Sequence, residues 1–353
     1  MKKLLKALLI VLLAIILAVG ALILWLSVTE YKPESIEMLE VTGDSGAALL
    51  PVGKRLDIIS WNIGYGGLGK ESDFFMDGGK ETKAADREQV LAYLEQMQSL
   101  VDKKNPELLL LQEVDSNSRR SYGIDQRAYF GDKTDNAAYA LNYSCDFVPI
   151  PLPPIGRVNS GLYTVANGYR IEKAARIALP CPFSWPMSTA NLKRCLLVSY
   201  LPIEDSDKYL VLVNLHLEAY DDGEGKIAQT KQLRDFITEE FEKGNYVIAG
   251  GDFNQVFPGG LEAYPNKHPE LWTPGILSDE LLPEGWCFAY DLLAPSCRLL
   301  NQPYEPFDTE NTQHYVIDGF ILSPNVELVT LSTLDLGFES SDHNPVSLRV
   351  ILR

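Results

Sequence analysis

Polar side chains stand at or just beyond the ends of several apolar runs in this sequence. Asn62 closes the run "LDIISWNI", Glu113 closes "ELLLLQEV", and His216 lies near the end of "KYLVLVNLHL". Polar groups on otherwise apolar strands are costly to bury unless they are paired or bind something. Gathered at one edge of a sheet, such side chains would form a pocket. The later members of this set are Asp252, Asn254, Asp318, Asp342 and His343.

The chemistry of this set is that of a hard metal ion and of proton transfer. Its carboxylate members are Glu113, Asp252, Asp318 and Asp342. Carboxylates and amides with few histidines and no cysteine suit Mg²⁺, Mn²⁺ or Ca²⁺ rather than zinc. His216 and His343 could donate to an anion or move a proton.

Each residue taken alone also has a simpler interpretation. Asn62 could be a strand-ending turn residue, and His216 a hydrogen-bonded core histidine. The pair Asp342 and His343 precedes Asn344-Pro345, which is typical of a turn. The repeated placement of such residues after apolar runs favours one shared site over these separate explanations.

The elements that must position these residues follow from periodicity. Helical spacing of apolar residues predicts helices over 86–103 and 224–243. Residues 255–313 are rich in proline, glycine and aromatic residues without a clear period, which predicts extended loop. The predicted helices and strands, with no linker-like break between them, favour one α/β domain from residue 54 to 353. The predicted strands are 56–63, 107–114, 160–166, 194–203, 208–217, 245–253, 314–323 and 344–352.

The N-terminus has the composition of a membrane anchor. Three lysines within residues 1–6 precede an apolar run over 7–28, which is long enough to span a bilayer. A signal peptide cleaved near "LAVGA" is the alternative. We predict an uncleaved single-pass anchor over 1–28 with a cytoplasmic N-terminus, a stalk over 29–53, and an extracytoplasmic domain.

Charge and cysteine content narrow the partners. The formal net charge is −17, from 48 acidic and 31 basic residues, which disfavours nonspecific binding to nucleic acid. The five cysteines lack CxxC spacing, so no structural zinc is indicated, and most should be small buried residues. The segment "GYGGLGK" imitates a dinucleotide fingerprint, but no amphipathic helix opens after it, and a rim loop fits better.

Six segments resemble the endonuclease/exonuclease/phosphatase superfamily, the DNase I-like fold of Mg²⁺-dependent phosphoesterases, in a membrane-anchored bacterial-type member. They occur in the family's order between residues 57 and 350 and are "ISWNI", "LLLQEVD", "VNLHL", "GGDFNQ", "VIDGFILS" and "SSDHNPV". The resemblance implies an α/β fold, a four-layer sandwich of two mixed, mainly antiparallel β-sheets flanked by helices.

The resemblance also implies roles for the site residues. Asn62 and Glu113 would hold Mg²⁺ or Mn²⁺, and Asp342 would contact the metal or its water. Asp252 would orient or deprotonate the attacking water, unless His343 takes that proton. The remaining implied roles concern the phosphoryl group and the second acid-base residue: His216 and Asn254 would hydrogen-bond phosphoryl oxygens, and Asp318 would orient His343.

The expected activity is hydrolysis of a phosphoester, with a phosphodiester of phospholipid or nucleic-acid type favoured. The alternatives are an inositol-phosphate type phosphomonoesterase and a non-catalytic, membrane-tethered binding module of the same fold. Of the arginines Arg119, Arg120, Arg157 and Arg194, Arg194 leads into a predicted strand and is predicted to bind substrate. A nuclease is possible within the superfamily but is not favoured by the charge, and a monomer is expected.

Overall fold

The helices and strands begin and end at residues whose chemistry sets those limits. The computed structural model describes residues 1–132, 134–221, 223–308 and 310–353. The helix predicted over 86–103 begins after Asp86, whose side chain accepts from the Gln89 amide at 2.8 Å. It ends before Asn105, which adopts a left-handed conformation. The α-helices are α1 Lys2–Val28, α2 Arg87–Lys104, α3 Glu224–Glu242 and α4 Gly260–Ala263.

The strands form mostly where apolar runs are long. The β-strands are β1 Ile36–Leu39, β2 Val41–Thr42, β3 Arg55–Asn62, β4 Leu108–Asp115, β5 Asn136–Val148, β6 Gly156–Ala166, β7 Lys173–Ala178, β8 Cys195–Pro202, β9 Tyr209–His216, β10 Tyr246–Asp252, β11 Gln255–Val256, β12 Gly275–Ile276, β13 Cys287–Ala289, β14 Cys297–Arg298, β15 His314–Tyr315, β16 Asp318–Leu322, β17 Val326–Thr333 and β18 Val346–Leu352. Single 3₁₀ turns connect several of them, including Gly64–Gly66, Phe75–Asp77, Arg119–Ser121, Gln126–Tyr129, Met187–Ala190 and Asp279–Leu281.

In the described residues, two seven-stranded sheets carry the fold. One has the order β1-β7-β8-β9-β10-β16-β13 and the other β17-β18-β3-β4-β6-β5-β2. Neighbouring strands in both are antiparallel, except for the pairs β3–β4 and β9–β10. Each parallel pair is joined by a helix, α2 in one sheet and α3 in the other.

Because successive side chains point to opposite faces of each strand, the buried apolar residues form three layers, one between the sheets and one outside each sheet. In β3, Ile58 faces the other sheet while Ile59 faces α2, and in β4, Leu110 and Leu111 divide in the same way. The outer face of β9 and β10 packs on α3 through residues such as Leu233. The molecule is therefore a four-layer sandwich with two mixed, mainly antiparallel sheets inside, which confirms the predicted fold class.

Residues 29–53 differ from the expected stalk. Within them β1 pairs with β7 at the edge of one sheet, and β2 pairs with β5 at the edge of the other. Leu50 is buried and forms a bridge to Ile203. The segment is mixed in composition because its strands lie at sheet edges, where alternate side chains face solvent.

Two other parts of the chain also differ from expectation. The strand predicted over 314–323 is interrupted by Val316 and Ile317, which separate β15 from β16. The stretch 255–313, predicted as loop, contains short strands and buries aromatic residues such as Phe257 in the core. All five cysteines are described and unpaired; Cys145, Cys195 and Cys297 are buried, while Cys181 and Cys287 are exposed.

Helix α1 leaves the sandwich and is largely exposed. It is 27 residues long and, in the part of the chain that the structure describes, the one helix long and apolar enough to cross a membrane. A signal sequence has the same properties. Only the end of the helix meets the sandwich, where Leu26 is buried against Cys145, Val148 and Val158.

Candidate active site

The predicted site residues lie where the two parallel strand pairs end. Asn62 ends β3, Glu113 lies near the end of β4, His216 ends β9 and Asp252 ends β10. Because parallel neighbours end at the same edge of a sheet, each pair presents two polar side chains together. The two edges face one cavity of about 350 Å³, which all four residues line.

The antiparallel neighbours of these pairs begin at the same edge. Asp318 opens β16 directly opposite Asp252 in the register. His343 precedes β18, and its carbonyl accepts a hydrogen bond from the Trp61 indole at 2.8 Å. The Ser341 hydroxyl donates to the carbonyl of Asn62 at 2.8 Å. These bonds hold the turn that carries His343 against the end of β3.

Two site residues adopt left-handed backbone conformations. Glu113 has φ +55° at a shift in register between Leu111 and Val114, and such a bulge redirects a side chain. Asn254 has φ +50°, and its amide N–H donates to Asp252 Oδ1 at 2.8 Å. Asparagine tolerates this left-handed conformation, and the hydrogen bond that results fixes the Asp252 carboxylate at the end of β10.

Asp252 occupies the centre of the site. Its Oδ2 accepts from Asn62 Nδ2 at 3.1 Å and lies 3.3 Å from His216 Nε2. His343 Nε2 is 3.8 Å from the same oxygen. Burial raises the pKa of Asp252 to about 7; His343 opposes that shift and Asp318 adds to it. Asp252 can therefore exchange a proton near neutral pH.

His343 is held by a buried carboxylate. Its Nδ1 lies 2.8 Å from Asp318 Oδ2, which also accepts from the Ser296 hydroxyl at 2.7 Å. Burial alone would lower the pKa of His343, but the Asp318 carboxylate and its neighbours outweigh burial and hold it well above the usual value. The imidazole is therefore protonated at neutral pH and directs Nε2 toward Asp252.

His216 has the opposite electrostatic environment. Burial lowers its pKa well below the usual value, and the positive charges of Arg194 and His343 lower it further. Among the described residues its Nδ1 has no hydrogen-bond partner. His216 is therefore neutral at pH 7, and because the Asp252 carboxylate accepts, its Nε2 carries the proton.

The donor set fits a hard divalent cation. Burial raises the pKa of Asp342 to about 6, opposed by His343 and reinforced by Glu113. Ligand atoms of Asp252, Asp318 and His343 lie within 4.8 Å of one another, and the buried Asp318 Oδ1 has no partner in the described part of the chain. Excess buried negative charge with oxygen donors is the environment that Mg²⁺ or Mn²⁺ stabilises.

The amide of Asn62 is turned away from the orientation that a metal ligand needs. Its Oδ1 accepts from the Gly64 N–H at 3.0 Å, and its Nδ2 points toward Asp252 and Glu113, at 3.5 Å from Glu113 Oε1. Only the oxygen of an amide binds a hard cation, so this side chain would rotate to serve as a ligand.

Arg194, the predicted substrate-binding residue, lines the cavity but is already partnered. It is 3% exposed, its Nε lies 3.4 Å from Glu218 Oε2, and its Nη1 donates to the His216 carbonyl at 3.2 Å. Eight of the predicted site residues line the cavity, and Asp318 acts behind them through His343. The structure therefore brings the whole predicted set together.

Two other arginines also reach the cavity, and sequence reasoning did not select them. Arg120 pairs with Asp115 at 2.9 Å, lies 3.5 Å from Glu113 Oε2 and stacks 3.9 Å from the centre of the Tyr65 ring. Arg298 donates to backbone carbonyls, including that of Gly69 at 2.8 Å. The place of each arginine in the cavity depends on contacts made by folding. The sequence offered one signal, the position of Arg120 shortly after the "LLLQEVD" segment, and none for Arg298.

The glycine-rich segment Gly64 to Lys70 forms part of the cavity wall. Tyr65 within it is 1% exposed, lines the cavity and accepts, through its carbonyl, a hydrogen bond from Gln126. Tyr143 also lines the cavity, whereas Arg157 is exposed and donates to Asn117. The segment therefore lies beside the site, as the sequence predicts, with its aromatic residue buried.

A family model for the endonuclease/exonuclease/phosphatase family matches residues 59–343, a span that contains all the predicted site residues. The chain belongs to the endonuclease/exonuclease/phosphatase family. This confirms the resemblance seen in the six segments. No curated protein sequence matches the chain.

Several solved structures share this fold. An endonuclease/exonuclease/phosphatase from Beutenbergia cavernae DSM 12333 has a TM-score of 0.54 at 15% identity, over 85% of this chain and 72% of that one. A functionally unknown conserved protein from Enterococcus faecalis V583 has a TM-score of 0.55 at 18% identity, over 84% and 100%. ANGEL2, a 2',3'-cyclic phosphatase, in complex with adenosine-2',3'-vanadate has a TM-score of 0.54 at 14% identity, over 89% and 98%. At these identities the likeness concerns the fold alone.

Proposed function

We propose that this family member is a divalent-metal-dependent phosphoester hydrolase, held at a membrane by α1, whose substrate is a phosphodiester. The observation that carries the proposal is the cluster around Asp252, in which His216, His343 and Asn62 approach one carboxylate oxygen within 3.8 Å. A neutral histidine, a protonated histidine and a carboxylate of raised pKa stand together. Such opposed pKa shifts are typical of acid-base sites.

In the proposed mechanism, the residues divide proton transfer and charge stabilisation. Asp252 orients the attacking water and accepts its proton, and His343, protonated and fixed by Asp318, donates a proton to the leaving oxygen. Water adds to phosphorus as one ester P–O bond breaks, which yields an alcohol and a phosphomonoester. With substrate bound, the His216 Nε2–H would turn from Asp252 to a phosphoryl oxygen, and the Asn254 side-chain amide, which donates to the Leu217 carbonyl at 2.9 Å, would donate to another as negative charge develops.

Glu113, Asp342 and Asn62 are the proposed metal ligands. A bound Mg²⁺ or Mn²⁺ would neutralise the phosphate and stabilise charge on the leaving oxygen. Burial, reinforced by the Asp318 and Glu113 carboxylates, raises the pKa of Asp252 to about 7 and that of Asp342 to about 6, and a bound cation would stabilise both in their charged forms. Asp252 and Asp318 place two further carboxylates beside this set, whereas His343, protonated and bonded to Asp318 through Nδ1, has no free ring nitrogen to offer a metal.

The arginines favour a diester over an inositol phosphate with several phosphate groups. Arg120 is paired with Asp115, Arg194 with Glu218, and Arg298 with backbone carbonyls. A substrate with many negative charges needs guanidinium groups that are not already neutralised. The net charge of −17 disfavours a long nucleic acid for the same reason.

The end of α1 contacts the sandwich at two points, and the length of its apolar run favours retention of the helix in the mature protein. Leu26 is buried against the sandwich, and Lys193 Nζ lies 2.8 Å from Glu30 Oε1 just beyond the helix. Cleavage near residues 17–21 would leave these contacts but remove the membrane-spanning length. The lysines at positions 2, 3 and 6 favour an N-terminus in the cytoplasm and a domain outside it.

The test is hydrolysis of bis-p-nitrophenyl phosphate by the full chain in detergent micelles, with and without Mg²⁺ or Mn²⁺. His343→Ala should lower metal-dependent turnover by about 10²- to 10⁴-fold. The matched control is His268→Ala, since His268 contacts Glu270 away from the cavity. Equal inactivity of wild type and His343→Ala with every metal and diester would support the non-catalytic binding module instead.

A further inference from the structure

The end of the membrane helix is fixed beside the cavity. Trp185 Nε1 donates to the Ser27 hydroxyl at 2.9 Å, and Lys193 pairs with Glu30 at 2.8 Å. Both Trp185 and Lys193 belong to residues 180–193, which we call the cleft lip. The lip therefore contacts the chain at the point where α1 ends.

The same region forms one wall of the cavity. Tyr143 and Ile155 pack on the cluster that buries Leu26 and also line the cavity. The Tyr143 hydroxyl donates to the carbonyl of Ala190 in the lip at 3.0 Å. From the lip itself, Phe183, Met187 and Leu192 line the cavity. The wall nearest α1 is therefore apolar, while the floor carries the carboxylates and histidines.

Large apolar side chains are exposed around this wall. Leu152 is 85% exposed, Trp185 64%, Ile150 60% and Met187 55%, and we call these four residues the docking patch. They lie on the lip and on the β5–β6 connection, whose ends Val148 and Ile155 pack on the Leu26 cluster. Exposed apolar residues grouped in this way mark an interaction surface.

We propose that the docking patch inserts into the leaflet in which α1 ends, and that the cavity receives a phospholipid from that leaflet. The inference rests on the proposed function and names its substrate class. The phosphodiester of the head group reaches the floor at Asp252, and the acyl end lies along Phe183, Met187 and Leu192. Trp185 lies beside the end of α1, and a tryptophan in that position suits the bilayer interface, because its ring is apolar and its N–H is polar.

A nucleic acid fits this surface poorly. Strand binding needs aromatic residues combined with basic groups that contact the backbone, and the docking patch contains no basic residue. Of the arginines of the cavity, Arg120 and Arg194 are paired with carboxylates, and the terminal nitrogens of Arg298 donate to backbone carbonyls. A lipid requires only the apolar wall and the floor that carries the proposed metal ligands, which are adjacent here.

The position of the patch can be measured without turnover. The full chain, with exposed Cys181 and Cys287 replaced by serine, is reconstituted in phosphatidylcholine nanodiscs with a nitroxide at Leu152→Cys. The matched control is Leu293→Cys, since Leu293 is 95% exposed and does not line the cavity. The label at position 152 should collide more with oxygen than with a water-soluble nickel complex, and the label at 293 the reverse. Aqueous behaviour at both positions overturns the proposal.

The substrate class is tested by a ratio of activities. Turnover of phosphatidylcholine or phosphatidylglycerol in vesicles is divided by turnover of bis-p-nitrophenyl phosphate for each full-chain variant. Leu152→Glu should lower this ratio at least tenfold, and Leu293→Glu should leave it unchanged. A ratio unaffected by Leu152→Glu, or turnover of DNA or RNA with none of either lipid, overturns the inference while the proposed hydrolase stands. Loss of all turnover, with the label at 152 still in the bilayer, instead identifies failure of the proposed function.

Discussion

The Nδ1 atom of His343 lies 2.8 Å from Oδ2 of Asp318, and both side chains are buried. The negative charge of Asp318 offsets the free-energy cost of burying the charged imidazole ring. The hydrogen bond also fixes the ring, so that Nε2 points toward Asp252 at 3.8 Å. The pair is anchored by Ser296, whose hydroxyl donates to the same carboxylate oxygen. The acid-base geometry of the site therefore depends on a residue that does not line the cavity.

Asp318→Asn should abolish most turnover by removing the charge that keeps His343 protonated. We expect kcat to fall at least about 100-fold and the pKa of His343 to fall, measured by NMR on the metal-free protein. Ser296→Ala, which keeps the Asp318 charge, is the milder control and should cost less than tenfold. An Asp318→Asn variant in which the pKa of His343 is unchanged would contradict this role of Asp318.

Glu113→Gln should weaken metal binding, because it removes one carboxylate from the proposed ligand set. We expect Mn²⁺ affinity, measured by calorimetry, to fall at least about tenfold. Glu218→Gln is the matched control, since Glu218 lies in the same cavity but is engaged by Arg194 and by the Ala219 N–H. Equal affinity in both variants would exclude Glu113 as a ligand.

Arg194→Met should destabilise the protein, because it leaves Glu218 buried without its guanidinium partner. Breaking a buried pair from one side costs about 3 kcal/mol of unfolding free energy, which urea unfolding can measure. The double variant Arg194→Met/Glu218→Gln should recover at least half of that loss. If Arg194 also contacts substrate, as predicted from the sequence, the double variant keeps a KM raised about tenfold. A normal KM in the double variant would leave Arg194 a structural role only.

Asp77 should make the protein less stable as pH rises. Burial raises its pKa from 3.8 to about 6, although the Tyr220 hydroxyl and the Leu300 N–H donate to it. A raised folded pKa favours the protonated acid, so its stabilising effect is complete below pH 4 and is lost as pH rises through 6. The loss amounts to about 3 kcal/mol.

Asp77→Asn should therefore unfold at higher urea than wild type at pH 8 and show no such gain at pH 4. The amide can still accept from the Leu300 N–H and donate to the Tyr220 hydroxyl. Asp73→Asn, on the same loop but partly exposed, is the control for loss of a carboxylate and should not reproduce the gain at pH 8. Parallel profiles for wild type and Asp77→Asn would refute the assignment.

The strands that carry the site could be predicted because their sequences are long apolar runs ending in one polar residue. The run 56–63 corresponds to β3 at Arg55–Asn62, and 208–217 to β9 at Tyr209–His216. Strand β5 was not predicted, because asparagine, serine and aspartate interrupt its apolar residues over Asn136–Val148. Strand β17 lies at a sheet edge and is buried only at its two ends, with exposed and half-buried positions between them, which gives a weak pattern.

Features that depend on tertiary contacts could not be predicted. Arg120 is buried because Asp115 and the Tyr65 ring surround it, and no local pattern encodes that arrangement. The contact between Ser27 and Trp185 joins residues 158 positions apart. The order of the six segments identified which residues meet, but only the fold defines the side from which a substrate approaches them.

Strand β18 has a consequence for the order in which the protein can be made. It lies between β17 and β3, and its Arg349 pairs with Asp57, 292 positions earlier. Because synthesis proceeds from the N-terminus, β3 leaves the ribosome long before its partner and has one open edge in the meantime. His343 arrives with that same partner. The nascent chain therefore lacks a complete candidate site until this sheet closes, and β3 keeps an exposed edge over the same interval.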